Sequence, residues 1–139
     1  MNSHVVLDTS VAISWVLPDE YQEATLLLRS GTIENSAMRI LVPPIFWSEV
    51  TNVLTMAIRR SRITQSFAEQ ALDALQNFGI AEYHVRPQDN LTLAISTQMS
   101  AYDAQYLVLA QDTSAPLWTL DKRLQQAAKK QGLPTEPEI

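Results

Sequence analysis

The chain contains no cysteine, which removes disulfides, thiolate metal sites and a cysteine nucleophile from consideration. No run approaches the ~18 apolar residues of a membrane span, so no membrane association is expected. No basic segment precedes the first apolar run, which stops at Asp8. A signal peptide is therefore not expected, and a cytoplasmic location is. Cationic residues are also scarce: 10 Lys and Arg stand against 15 Asp and Glu, for a net charge of −5. This balance argues against a general nucleic-acid-coating surface, yet it leaves room for a nuclease, because acids gathered to hold cations also make the sum negative. The 2 histidines, His4 and His84, stand in no ligand pattern, which disfavours zinc.

What remains is ordinary for a globular protein: 139 residues, 46% of them hydrophobic and 18% charged. A chain of this length suits one domain spanning residues 1–139. It shows neither an internal repeat nor a low-complexity linker. Pattern and punctuation predict strands at His4–Leu7, Arg39–Val42, Ile80–Tyr83 and Leu117–Leu120. Helices are expected over Ser10–Leu17, Pro18 to about Leu28, Pro44 to about Arg60, and Thr64 to the stop at Gly79. Three more follow, from Pro87–Asn90 to about Met99, Tyr102–Ala110 and Asp121–Lys130. Ser30–Ala37 reads as a polar loop, and Gly132 and Pro134 as the end of the ordered part. Short apolar strands alternating with helices predict an α/β fold, a parallel sheet covered on both faces.

Four acids draw attention, each with a bland account beside it. Asp8 follows the apolar run Val5–Leu7; ligands of parallel sheets bind at such strand ends, but Asp8, Thr9 or Ser10 could equally cap the next helix. Asp121 repeats the pattern after "PLWTL" and has the same capping account. Asp103 forms an S-x-x-D spacing with Ser100, which suggests a capping box; Tyr106, Leu107 and Ala110 follow at i+3, i+4 and i+7, so the carboxylate starts an apolar, inward face. Glu49 falls inside the stripe Phe46, Val50, Val53, Leu54 and Ala57, too deep in its helix to cap it. A carboxylate there needs hydrogen bonds, a cation, a raised pKa or an arginine partner. A divalent cation would relieve the mutual repulsion of all four, and oxygen-only ligands suit Mg²⁺ or Mn²⁺.

The segments "VVLDTSVAISWVLPDE", "LVPPIFWSEVTNVL", "SAYDAQYLVLA" and "LWTLDKRL" resemble, in that order, the motifs of PIN-domain ribonucleases, and most of all the VapC-like toxins of type II toxin–antitoxin systems. The resemblance covers Val5 to about Ala128. It implies a three-layer α/β/α sandwich around a central parallel sheet, with the first and fourth strands adjacent. It makes Asp8, Glu49, Asp103 and Asp121 the catalytic and metal-binding quartet, with Thr119 and Ser10 as polar neighbours that orient it. The implied activity is Mg²⁺- or Mn²⁺-dependent hydrolysis of RNA phosphodiester bonds, and the implied partners are a VapB-like antitoxin and a second copy of the chain. Trp15, Leu26, Leu27 and the Glu49 helix are then candidate contact surfaces, with Trp15 and Trp47 reading as core or interface residues. Where some members carry a further acid after the last aspartate, this chain has Lys122 and Arg123. That departure leaves one or two ions open; lying beside Asp121, both residues are candidates for RNA phosphate contact.

Other readings fit less well. A phosphoacceptor receiver domain needs an acidic pair after its first strand, which is missing. A haloacid-dehalogenase-like phosphatase needs an aspartate where Ser10 stands. A catalytically silent PIN-like module that binds metal or antitoxin is the remaining alternative. Arg59, Arg60 and Arg62 are either solvated cations at a helix C-terminus or a contact for RNA or antitoxin.

Overall fold

A computed structural model describes residues 3–35 and 37–137. Five strands form one parallel sheet in the order β3-β2-β1-β4-β5, with β1 at Ser3–Leu7, β2 at Met38–Val42, β3 at Ile80–Glu82, β4 at Leu117–Trp118 and β5 at Thr135–Glu136. The helices are α1 (Thr9–Val16), α2 (Glu23–Glu34), α3 (Ile45–Arg59), α4 (Gln65–Gln76), α5 (Pro87–Thr97), α6 (Ala101–Thr113) and α7 (Lys122–Lys130). From β1 the chain steps outward to β2 and β3, then returns to add β4 and β5 on the other side. The order therefore reverses between β1 and β4, the place where an open parallel sheet leaves a crevice beyond its strand ends.

Val5, Val6 and Leu7 are consecutive and all buried, as a central parallel strand covered on both faces requires. Helices α1 to α4 pack on one another, α1 against α2 and α3, and α3 against α4. Right-handed crossovers put them on one face of the sheet. On the other face α6 lies against β1 and β4 and carries α5 outside it. From Tyr106 to Ala110 every α6 residue is buried, so this helix is apolar nearly all round rather than on one inward face.

Several expected boundaries change. Pro18–Glu20 forms a separate 3-10 turn, and α2 starts only at Glu23 and continues to Glu34. The expected loop over Ser30–Ala37 is thus largely helix, because Thr25 and Leu28 anchor one side of a mostly polar segment in the core. Beyond Gly132 the chain is not at its end: β5 pairs with β4 through Leu117↔Thr135 and Trp118↔Glu136. Trp15 is core rather than contact surface, buried with its indole N–H donated to the Thr25 carbonyl at 2.8 Å.

Candidate active site

Asp8 stands one residue beyond β1, where its N–H donates to the Trp118 carbonyl at 3.1 Å and extends the pairing with β4. Its side chain caps α1, with Oδ1 accepting the Val11 N–H at 3.3 Å. Capping is only part of its role. Oδ1 also accepts from Ser10 Oγ at 2.5 Å, and Oδ2 from Thr119 Oγ1 at 2.5 Å. Each hydroxyl in turn accepts a backbone N–H from the β4–α7 connection: Leu120 to Ser10 Oγ and Asp121 to Thr119 Oγ1, both at 2.9 Å. Asp8 is 6% exposed. Burial pushes its pKa up to about 6 against the pull of these hydrogen bonds, and the Asp121 charge adds to the rise.

Asp121 is the N-cap of α7, accepting from the Arg123 and Leu124 N–H groups at 3.0 and 3.4 Å, and it is exposed. Asp103 lies in the first turn of α6, where Ser100 Oγ accepts its N–H at 3.0 Å. Serine therefore performs the capping, and the half-buried Asp103 carboxylate makes no hydrogen bond among the described residues. Glu49 is half-buried in the second turn of α3. Its partner is no arginine. Oε1 accepts from Tyr106 Oη at 2.5 Å and from Thr9 Oγ1 at 3.2 Å. Burial raises the Glu49 pKa against these bonds, and the Asp103 charge raises it further. Burial, then Glu49 itself, drives the Tyr106 pKa far up, so the phenol remains a donor.

Asp8, Glu49, Asp103 and Asp121 line one cleft of about 550 Å³ at the strand-order reversal. The electrostatic couplings join them as two pairs, Asp8 with Asp121 and Glu49 with Asp103. Among the described residues no three acids or histidines are gathered tightly enough to close around one ion as they stand. The donor set nevertheless suits a hard divalent cation: carboxylate and hydroxyl oxygens, no histidine in the lining, and two acids whose charged forms are disfavoured until positive charge arrives.

Ser10 and Thr119, expected as polar neighbours of the acids, both donate to the Asp8 carboxylate. Thr9, Tyr106, Asn52 and Glu20 also belong to the lining and were not expected there. Asn52 follows Glu49 at i+3 on α3 and Tyr106 follows Asp103 at i+3 on α6, a same-face spacing that could have revealed both. Of the two cations after Asp121, neither lines this cleft. Arg62 is taken up by Asp19 and Glu20 at 2.6 and 3.1 Å, which ties the end of α3 to the 3-10 turn.

The PIN domain profile matches residues 5–130. Ribonuclease VapC9 of Mycobacterium tuberculosis and VapC ribonuclease Mb0985 of Mycobacterium bovis are each 28% identical over 127 residues, 91% of this chain and 93% of theirs. Among solved structures, PAE2754 from Pyrobaculum aerophilum superposes with a TM-score of 0.74 at 18% identity, over 96% of this chain and 83% of that one. VapBC2 from Rickettsia felis, solved bound to a promoter DNA fragment, gives 0.66 at 13% identity over 96% of this chain and 97% of that one. These two likenesses establish a shared fold. With the profile spanning nearly the whole chain, and four acids on one cleft at the sheet's switch point, the protein belongs to the PIN-domain family.

Proposed function

We propose that this chain is a divalent-metal-dependent endoribonuclease that hydrolyses RNA phosphodiester bonds as the toxin of a toxin–antitoxin pair. The supporting observation is the acidic cleft itself, lined by carboxylates from five separate parts of the chain, the expected four and Glu20, in a family whose similar members are named ribonucleases. Asp8 and Asp103 would hold Mg²⁺ or Mn²⁺ directly, with Asp121 and Glu49 binding through water or completing a second position. Such an ion, when bound, supplies an acidified water and neutralises charge on the phosphate and the leaving oxygen.

The chain's own groups prepare that chemistry. Ser10 and Thr119 fix both oxygens of Asp8, so the carboxylate is oriented before any cation arrives. Tyr106 and Thr9 occupy Oε1 of Glu49 and leave Oε2 to take a proton from the attacking water. Burial of both carboxylates keeps the site hungry for positive charge rather than satisfied by solvent.

The same reading includes a cytoplasmic location, a homodimer and a VapB-like antitoxin. Among the described residues no helix is long and apolar enough to cross a membrane. Leu27 and Ile33 on α2 and Phe67 on α4 expose apolar side chains that a protein partner would cover. Purified protein incubated with tRNA, rRNA and synthetic hairpins tests the activity. Discrete cuts with Mn²⁺ or Mg²⁺ and none in EDTA are expected; cutting that ignores EDTA would refute the proposed chemistry.

A further inference from the structure

The chain's cations are unevenly distributed. All its lysines, Lys122, Lys129 and Lys130, stand on α7 with Arg123. This helix carries no acid, in a chain of net charge −5. Lys129 and Lys130 suit the negative end of the helix dipole, but Lys122 and Arg123 sit at the positive end, where cations are disfavoured. Helix stability therefore does not account for them.

Arg123 and Lys130 are seven positions apart and share one stripe of α7, with Gln126 between them. That stripe is one wall of a second cleft, of about 390 Å³, whose other wall is the end of α5 and the residues just after it. Among the described residues no acidic side chain lines it. The Ser96 and Thr97 hydroxyls are turned onto the Leu93 carbonyl at 3.2 and 2.6 Å. The donors left to meet a ligand are Arg123, Lys130 and the amides of Gln98, Gln126 and Gln131. Cations and amides without a carboxylate are the chemistry that holds phosphodiester oxygens. The Arg123 N–H is held by Asp121, which lines the acidic cleft, so the two clefts meet at the first turn of α7.

We infer that the α5–α7 groove binds the phosphate backbone of the RNA strand beside the bond that is cut, with Arg123 and Lys130 each engaging a phosphate. The choice of RNA as ligand rests on the function proposed above. The groove recognises backbone charge, so its contribution is independent of base sequence.

The test is fluorescence anisotropy with a short fluorescein-labelled single-stranded RNA of mixed sequence, in EDTA, between about 25 and 200 mM salt. The protein is compared with R123Q/K130Q and with R39Q/R86Q, which removes the same charge at two exposed positions elsewhere. Two lost phosphate contacts should flatten the salt slope by about 1.4 and weaken binding roughly 25-fold at about 0.1 M salt. R39Q/R86Q should keep most of the slope. In metal-dependent cleavage, R123Q/K130Q should raise KM and leave kcat nearly unchanged. An unaltered slope in R123Q/K130Q, or an equal loss in R39Q/R86Q, would overturn the inference. A wild type that cuts no RNA but shows the slope change would refute the nuclease reading and leave the groove standing as a phosphate-binding site.

Discussion

Thr119 donates its hydroxyl to Oδ2 of Asp8 at 2.5 Å, joining residues 111 positions apart, while Thr119 Oγ1 itself accepts the Asp121 N–H at 2.9 Å. One buried hydroxyl thus links the acid after β1 to the acid after β4, across the line where strand order reverses. Ser10 makes the mirror connection, from Leu120 N–H to Oδ1. The first acid of the cleft is held from both sides by hydrogen bonds that local capping alone would not require.

Thr119→Val removes that link while keeping the shape. It leaves an Asp8 oxygen and the Asp121 N–H without their partner, and should destabilise the protein by about 1–3 kcal/mol at pH 7. Thr119→Ser should recover most of the loss. Urea unfolding followed by circular dichroism reads both; a valine variant as stable as wild type would show that the link carries no energy.

Asp8 makes the metal-free protein pH-sensitive in a definite direction. Its carboxyl titrates at about 6 when folded and near 3.8 when unfolded, so the folded state binds more protons between these values. Stability from this group therefore falls as pH rises through that window, and above it the cost is roughly 3 kcal/mol. Asp8→Asn should accordingly be more stable than wild type at pH 7.5 without metal, with the advantage fading toward pH 4. Chemical denaturation at the two pH values checks this; a variant less stable at pH 7.5 would mean that the hydrogen bonds outweigh burial.

Tyr106→Phe isolates the support of Glu49. The phenol is buried and donates to Oε1, and only Thr9 would remain on that oxygen. A stability loss of about 1–2 kcal/mol is expected. With the carboxylate free to turn, kcat should fall about tenfold with KM little changed. Steady-state cleavage kinetics of a folded variant decide it, and an unaltered kcat would mean that Glu49 needs no positioning.

Much of this architecture was legible because it rests on strong local signals. The apolar run Val5–Leu7 ending on Asp8 and the proline-started α3 bearing Glu49 read directly as a strand end and a carboxylate inside an apolar stripe. Strand β5 was not legible: two residues carry no alternation, and only pairing with β4 makes them a strand. The polar length of α2 is illegible for a related reason, since Ser30, Gly31 and Thr32 are poor helix formers and the helix is anchored by buried Thr25 and Leu28. In the cleft, the sequence points to the hydroxyl partners of Asp8 as residues, whereas it presents Tyr106 only as part of an apolar face. A phenol in such a stripe packs like Phe, and its bond to Glu49 crosses 57 positions, beyond any local pattern.

The central claim is that the four acids act together as a cation-holding centre, and Mn²⁺ calorimetry of metal-free protein tests it most directly. Titrations in two buffers of different ionisation enthalpy, at pH 6.0 and 7.5, count the protons displaced. Because the Asp8 carboxyl titrates at about 6, wild type should bind Mn²⁺ at both pH values, releasing about half a proton or more at the lower and little at the higher. Asp103→Asn, which keeps the helix start, should lose most of the affinity. Absence of Mn²⁺ binding by wild type, or equal binding by Asp103→Asn, would contradict the account.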